Sequence, residues 1–296
     1  MNVFVTGATG FIGSQVVREL LAAGHQVLGL TRSEAGAQSL IAAGAKVHRG
    51  DLEDLESLRS GAKLSDGVIH LGFNHDFSKF AANCEMDRLA IEALGGALAG
   101  SDRPLLVSGG LFLPTPGRTA IEEDAPAPIS NSYPRASEAA SMALASQGVR
   151  AAVMRLPQVH DPVKQGLVTF LINIAREKGV SAYVSDGRNR WAAAHVLDVA
   201  RLYRLAIEKA SVGAKYHAVA EEGVPLREIA EVIGRGLKVP VVSMSPKEAA
   251  EHFGFLGHFV SADSPTSSVQ TQERLGWHPT GPGMISDLEK MNYFPA

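Results

Sequence analysis

The stretch Thr6-Gly7-Ala8-Thr9-Gly10-Phe11-Ile12-Gly13 limits what this chain can fold into more than any other. It follows a short apolar run of β character, Asn2–Thr6, and precedes a segment in which Ile12, Val16, Val17, Leu20 and Leu21 recur at helical spacing. In a strand-turn-helix unit the three glycines have separate duties. Gly7 permits the tight turn, Gly10 lets a phosphate approach the backbone where a Cβ would stand, and Gly13 brings the helix close to the strand. Free N–H groups and a partial positive charge at the start of the helix then face a diphosphate. The run predicts a dinucleotide site, with Thr9, Phe11 and Ile12 on the turn beside the glycines. A glycine turn without a ligand is the competing reading, and the flanking strand and helix weigh against it.

The first half continues the rhythm. Strands are predicted at Asn2–Thr6, Gln26–Thr31, Lys46–Arg49, Gly67–Leu71, Leu105–Ser108 and Ala151–Leu156, with helices between them. That alternation predicts an α/β, Rossmann-type doubly wound parallel sheet. Helical spacing also predicts Ser78–Leu98, Ser137–Ser146, Leu167–Lys178, Val196–Lys209 and Leu226–Leu237, and Lys215–Val219 reads as a strand. We assign residues 1–156 and about 192–220 to the nucleotide-binding domain. Residues of about 157–191 and 221–296 form a smaller, mostly helical C-terminal substrate part.

Charge and cysteine usage exclude several partners. A net charge of −3 without a basic run argues against nucleic acid. A single cysteine, Cys84, excludes a disulfide framework and a cysteine-based zinc site, and it suits a reducing, cytoplasmic setting. No apolar run is long enough to span a bilayer, so no membrane partner is expected, and no metal is expected either.

The second predicted strand ends Leu30-Thr31-Arg32-Ser33, where an NAD site usually carries an acidic residue for the ribose hydroxyl. A guanidinium there grips a 2′-phosphate that a carboxylate would repel. Arg32 therefore favours NADP(H) over NAD(H), unless Arg32 is solvated and Glu34 reaches the ribose. After the third strand, Asp51 and Leu52 are candidates for holding the adenine, with a helix N-cap as the competing role for Asp51.

Together these motifs resemble the short-chain dehydrogenase/reductase superfamily, in the extended or atypical branch that includes epimerase/dehydratase-like proteins. The likeness rests on Thr6–Gly13, Gly50-Asp51-Leu52, His70-Leu71-Gly72, Leu105–Ser108, Arg155-Leu156-Pro157 and His195–Ala200, and it spans most of the chain. It implies that Leu71, Gly72 and Phe73 line the cofactor and that homodimers form. It also implies a catalytic Tyr and Lys spaced Y-x-x-x-K, with a Ser or Thr after the fifth strand. The nearest match is Tyr133-Pro134-Arg135-Ala136-Ser137, and the lysine is absent. A one-residue shift puts Pro134 at the tyrosine position and Glu138 at the lysine position.

Pro134 suits a first helical position, which would leave Tyr133 just before the helix. Ser108 stays a candidate donor to a substrate carbonyl. His75, His160 and His195 lie on or beside loops expected to face the nicotinamide, so each is a candidate acid, whereas His70 inside a strand reads as structural. The leading expectation is an NADP(H)-dependent oxidoreductase of the atypical short-chain type acting on a small carbonyl or hydroxyl compound. A sugar-nucleotide epimerase or dehydratase is the runner-up, with Arg176, Arg188 and Arg190 as its cations. A non-catalytic NADP(H)-binding or redox-sensing protein is the third reading.

Overall fold

The computed structural model describes residues 1–131 and 133–294, so Ser132 and the last two residues of the C-terminal part lie outside the description. In chain order the first half comprises β1 (Asn2–Thr6), α1 (Phe11–Ala22), β2 (Gln26–Thr31), α2 (Glu34–Ala43), β3 (Lys46–Arg49), α3 (Leu55–Lys63), β4 (Gly67–His70), α4 (Phe80–Leu98), β5 (Leu105–Gly110), α5 (Ser137–Ser146) and β6 (Ala151–Leu156). The second half comprises β7 (Gln158–His160), α6 (Val168–Lys178), β8 (Ser181–Val184), β9 (Arg190–His195), α7 (Val196–Lys209), β10 (Lys215–His217), β11 (Glu221–Pro225), α8 (Leu226–Leu237), β12 (Val241–Met244), α9 (Pro246–Phe253), α10 (Gly257–Ser261), α11 (Val269–Leu275) and α12 (Met284–Lys290).

Seven strands make one parallel sheet in the order β10-β6-β5-β4-β1-β2-β3. The strand order reverses between β1 and β4, and ligands of such sheets sit at that switch, outside the carboxyl ends of the strands. Side-chain alternation builds both faces from one strand: Val3 and Val5 of β1 join the core beneath α1 and α7, while Phe4 joins the core beneath α3, α4 and α5. This is the doubly wound sheet expected from the sequence.

The remainder is less helical than expected. A sheet of β11-β9-β7 and a parallel pair of β12 and β8 stand beside α6, α8, α9, α10 and α12, around a core of their own. These strands run from three to six residues, and Arg190–His195 carries three alanines, so no alternation marked them. Five boundaries also move. β4 stops at His70, β5 runs on to Gly110, β10 stops at His217, α6 begins at Val168, and α4 begins at Phe80 after a single 3₁₀ turn, Phe77–Lys79. Among the described residues no helix is long and apolar enough to cross a membrane.

Candidate active site

The glycine turn is built tightly. Gly7 has φ +64°, a left-handed value that glycine adopts freely, and a Cβ there would lie 2.8 Å from Gly72 N. At Gly13 a Cβ would lie 2.0 Å from Gly7 O, so only glycine lets α1 start this close to β1. Gly10 differs: its Cβ would meet Gly7 O alone, at 3.1 Å, and its other side is open. Gly10 is also the N-cap of α1, and no side chain caps that helix. An open backbone approach beside an uncapped helix start fits the diphosphate of a dinucleotide.

Around this turn the structure gathers Leu52, Leu71 and Gly72. Gly72 N–H donates to Thr6 Oγ1 at 3.0 Å, and a Cβ on Gly72 would strike Leu52 Cδ2 at 2.8 Å. At the other end, Arg32 Nη1 lies 3.4 Å from Asp51 Oδ2, with the Arg32 side chain 81% exposed. Asp54, not Asp51, caps α3 by accepting from Ser57 N. Asp51 instead accepts from Glu53 N in a local turn, so the competing N-cap role falls away. Glu34, the alternative ribose partner, is paired with Arg49 and accepts from Gln38 Nε2 at 2.8 Å.

At Ser108, one of the catalytic candidates of the sequence, the structure departs from the expectation. Its hydroxyl donates to His70 O at 2.6 Å and meets Tyr203 OH at 2.7 Å, and the residue is buried. The fifth strand, continuing two residues further, holds Ser108 inside the sheet, so its hydroxyl is not free for a carbonyl.

His160 and His195 also move away from their expected role. Both are buried beside Asp287 of α12, with His160 Nδ1 at 2.8 Å and His195 Nε2 at 3.8 Å from Asp287 Oδ2. The missed strands β7 and β9 place them there, paired in register. His195 Nδ1 accepts from Leu197 N as the N-cap of α7. His75 alone stays on the open loop after β4, its ring edge-on to Phe73. Desolvation against its neighbours, with the charges of Arg135 and Lys164, lowers its pKa below the usual value.

Tyr133 lies before α5, as expected, but the helix starts only at Ser137, so Pro134 is not its first residue. The chain is pinned by a turn in which Tyr133 N donates to Ser130 O at 3.1 Å and Ser130 N donates to Tyr133 O at 3.0 Å. The phenol oxygen would stand 3.2 Å from a Cβ on Gly110, at the end of β5. Burial raises its pKa, against the charge of Arg135. A phenol so placed keeps its proton at neutral pH and is a weaker acid than a free phenol, so donating the proton calls on the opposing charge of Arg135.

One residue here, Asp87, went unread in the sequence, and it ties together several that were read. Arg135 lies over Phe73, 4.2 Å from the ring centroid, and its Nε donates to Ser137 Oγ at 3.0 Å. Ser137 donates to Asp87 Oδ2 at 2.5 Å, and Asp87 Oδ1 faces His70 Nε2 at 3.1 Å. His70 Nδ1 meets Thr6 Oγ1 at 2.8 Å, which closes a buried chain from Arg135 to the glycine turn. Burial opposes the ionisation of Asp87, yet bonds from His70 and Ser137 and the charge of Arg135 bring its pKa below the usual value. An ionised carboxylate only accepts, so His70 Nε2 carries a proton. The structural reading of His70 holds.

The second surprise is at the absent lysine. Glu138, which a shifted register puts at that position, grips Arg155 through Oε1–Nη2 at 2.6 Å and Oε2–Nε at 2.8 Å. Arg155 is fully buried on β6, and its Nη1 donates to His217 Nε2 at 2.9 Å. A charge inside Ala151–Leu156 was the one available signal, since a buried guanidinium needs a partner.

The sequence matches the family model described as NAD dependent epimerase/dehydratase family over residues 3–220. An uncharacterized Schizosaccharomyces pombe protein is 49% identical over 298 residues, covering 99% of this chain and 100% of its own. An uncharacterized Saccharomyces cerevisiae protein is 46% identical over 296 residues, covering 99% of each chain. Among solved structures, UDP-glucose 4-epimerase of Thermus thermophilus in complex with NAD superposes with TM-score 0.75 at 22% identity, covering 99% of each chain, and shows the shared fold. On the glycine turn, the seven-stranded sheet and this match, the chain belongs to the NAD dependent epimerase/dehydratase family, whose members use a nicotinamide cofactor.

Proposed function

We propose that the protein is an NADP(H)-dependent oxidoreductase acting on a small carbonyl or hydroxyl compound. The observation that carries this reading is the makeup of the catalytic end: one phenol, Tyr133, and one guanidinium, Arg135, set against phenylalanines. Of the three cations named for a sugar nucleotide's second diphosphate, two are engaged elsewhere. Arg190 is paired with Asp263 at 2.8 Å, and Arg176 donates to Asn173 Oδ1 and Tyr293 O. Arg188 projects into solvent, 89% exposed.

Gly7, Gly10 and Gly13 with the start of α1 would hold the diphosphate, Leu52, Leu71 and Gly72 would pack on the adenine side, and Arg32 would meet a 2′-phosphate. When bound, the reduced nicotinamide supplies a hydrogen with its electron pair. The residues of the chain do the rest. As the carbonyl carbon gains that hydrogen, the C=O π pair passes to oxygen, which takes one proton from the Tyr133 phenol. Arg135, fixed by Phe73 and Ser137, stabilises the phenolate left behind, and solvent returns the proton. The sum is reduced cofactor, carbonyl and one proton giving oxidised cofactor and alcohol.

The test is NADPH oxidation with a panel of ketones and aldehydes, followed for the wild type, Tyr133→Phe and His75→Gln. We expect Tyr133→Phe to lose about 10²-fold in kcat/KM, the size of a lost general acid, with His75→Gln losing less than tenfold. Tight NADPH binding without turnover on any member would refute the oxidoreductase reading.

A further inference from the structure

The strands end in a mouth that is unusually rich in phenylalanine. Phe73, Phe77 and Phe80, on the segment after β4, make ring contacts with one another and reach Phe170 of α6 and Phe255, on the turn between α9 and α10. The Phe77 and Phe255 rings stack at 4.8 Å with 22° between planes. None of these five is fully buried, and Phe255 is 50% exposed. A second set lies past the end of β5: Phe112 contacts Tyr133 at 5.4 Å and Phe259 at 5.8 Å. Seven of the eleven phenylalanines in the chain are drawn from separate elements into these two ring clusters. Beside Phe112 a cavity of about 40 Å³ continues inward between Leu156, Leu167 and Trp191.

A core needs no such arrangement, because core rings close against one another and lose their water. Here the rings stay partly open on segments that follow β4 and β5, at the carboxyl ends where the fold places its ligands, and a cluster of part-exposed rings there suits a ligand that covers it. Each set touches one of the residues proposed for catalysis: Arg135 lies over Phe73, and Tyr133 contacts Phe112. A ligand with its carbonyl at Tyr133 must therefore lay its remainder on phenylalanine. Charge and hydroxyl groups would lose water there without gaining partners. An aromatic ring would gain both buried area and edge or stacked contacts.

We infer that the substrate is an uncharged aryl carbonyl compound, whose ring rests on Phe77 and Phe255 and whose carbonyl reaches Tyr133. This rests on the oxidoreductase reading only for the fate of the carbonyl. The site itself is tested by binding. The probes are 4-phenyl-2-butanone and 2-butanone, which share the carbonyl and differ by the ring, with UDP-glucose as the polar competitor. Ligand-observed NMR on the NADP⁺-loaded chain gives affinities, and NADPH oxidation gives kcat/KM.

We expect the aryl ketone to bind at least about tenfold more tightly than 2-butanone, as the burial and contacts of one ring allow. Phe255→Ala and Phe77→Leu should each cut that ratio by about fivefold or more while leaving NADP⁺ affinity and unfolding temperature in place. An aryl advantage that survives both variants would overturn the inference. So would UDP-glucose displacing the aryl ketone at lower concentration than the ketone itself requires. Aryl binding that depends on Phe255 without NADPH oxidation would uphold the site and refute the oxidoreductase reading. Turnover indifferent to the ring would do the reverse.

Discussion

Replacing Arg32 with alanine separates the two dinucleotides, and the structure sets the size of the effect. The Arg32 guanidinium is 81% exposed and its one partner among the described residues, Asp51, stands at 3.4 Å with 37% exposure. An exposed ion pair at that distance is worth close to nothing, at most about 1 kcal/mol, so turning Arg32 to a 2′-phosphate sacrifices little. Charge-assisted hydrogen bonds to the phosphate contribute about 1.5–3 kcal/mol. The upper part of that range is excluded by screening at an exposed site, which leaves about 1.5–2 kcal/mol, or roughly 10- to 30-fold in affinity.

Calorimetric titration of the purified chain should therefore show NADPH binding weakened about 10- to 30-fold by Arg32→Ala, with NADH changed less than about threefold. Asp51→Asn frees the guanidinium and should tighten NADPH by no more than about fivefold. Raising the salt should shrink the gap between wild type and Arg32→Ala. Gly10→Val is the control, since its new side chain faces open space apart from Gly7 O at 3.1 Å and should abolish both dinucleotides in a folded protein. Equal loss of NADPH and NADH in Arg32→Ala would refute the assignment. A preference for NADPH that persists would transfer it to Arg49, whose guanidinium lies beside Ser33 O at 2.9 Å.

The buried chemistry gives two further predictions. Glu138→Gln leaves the fully buried Arg155 without its counter-charge and should cost about 3 kcal/mol in urea unfolding, while a loss below about 1 kcal/mol would mean the pair does not hold the core. His217 is held neutral, because Arg155 can only donate to Nε2 at 2.9 Å, so the proton sits on Nδ1 and is given to Ser267 O at 2.7 Å. Burial lowers its pKa, so below about 6.5 the unfolded chain binds the proton more readily than the folded one. Stability should be full above that pH and fall by up to about 1.4 kcal/mol per unit below it, and His217→Asn should flatten the slope between pH 6.5 and 5.5. An unchanged slope would assign the loss to other groups, such as the buried His160, whose pKa burial also lowers.

Local pattern carried the sequence a long way on the nucleotide side. Gly7, Gly10 and Gly13 act through backbone geometry over a few residues, and the strands flanking them are continuous apolar runs whose period is set by the chain itself. The sheet order and the site's position at its reversal follow from that rhythm, because parallel strands need crossovers and crossovers need helices. Around Tyr133 the same means had less to work with. Ser108 looked free until β5 ran on and Tyr203, ninety-five residues away, met its hydroxyl. His160 and His195 looked like loop acids until α12 brought Asp287 between them.

Glu138 and Arg155, Asp87 and His70, and the ring contacts of Phe77 with Phe170 and Phe255 are likewise pairings across the fold. A hydrogen bond or a ring contact reaches only a few ångströms and carries no mark in the sequence at either end. Glycine spacing and hydrophobic period are properties of the chain and can be read along it. Which charge is neutralised, and which hydroxyl is already spent, depend on neighbours that only the folded packing supplies.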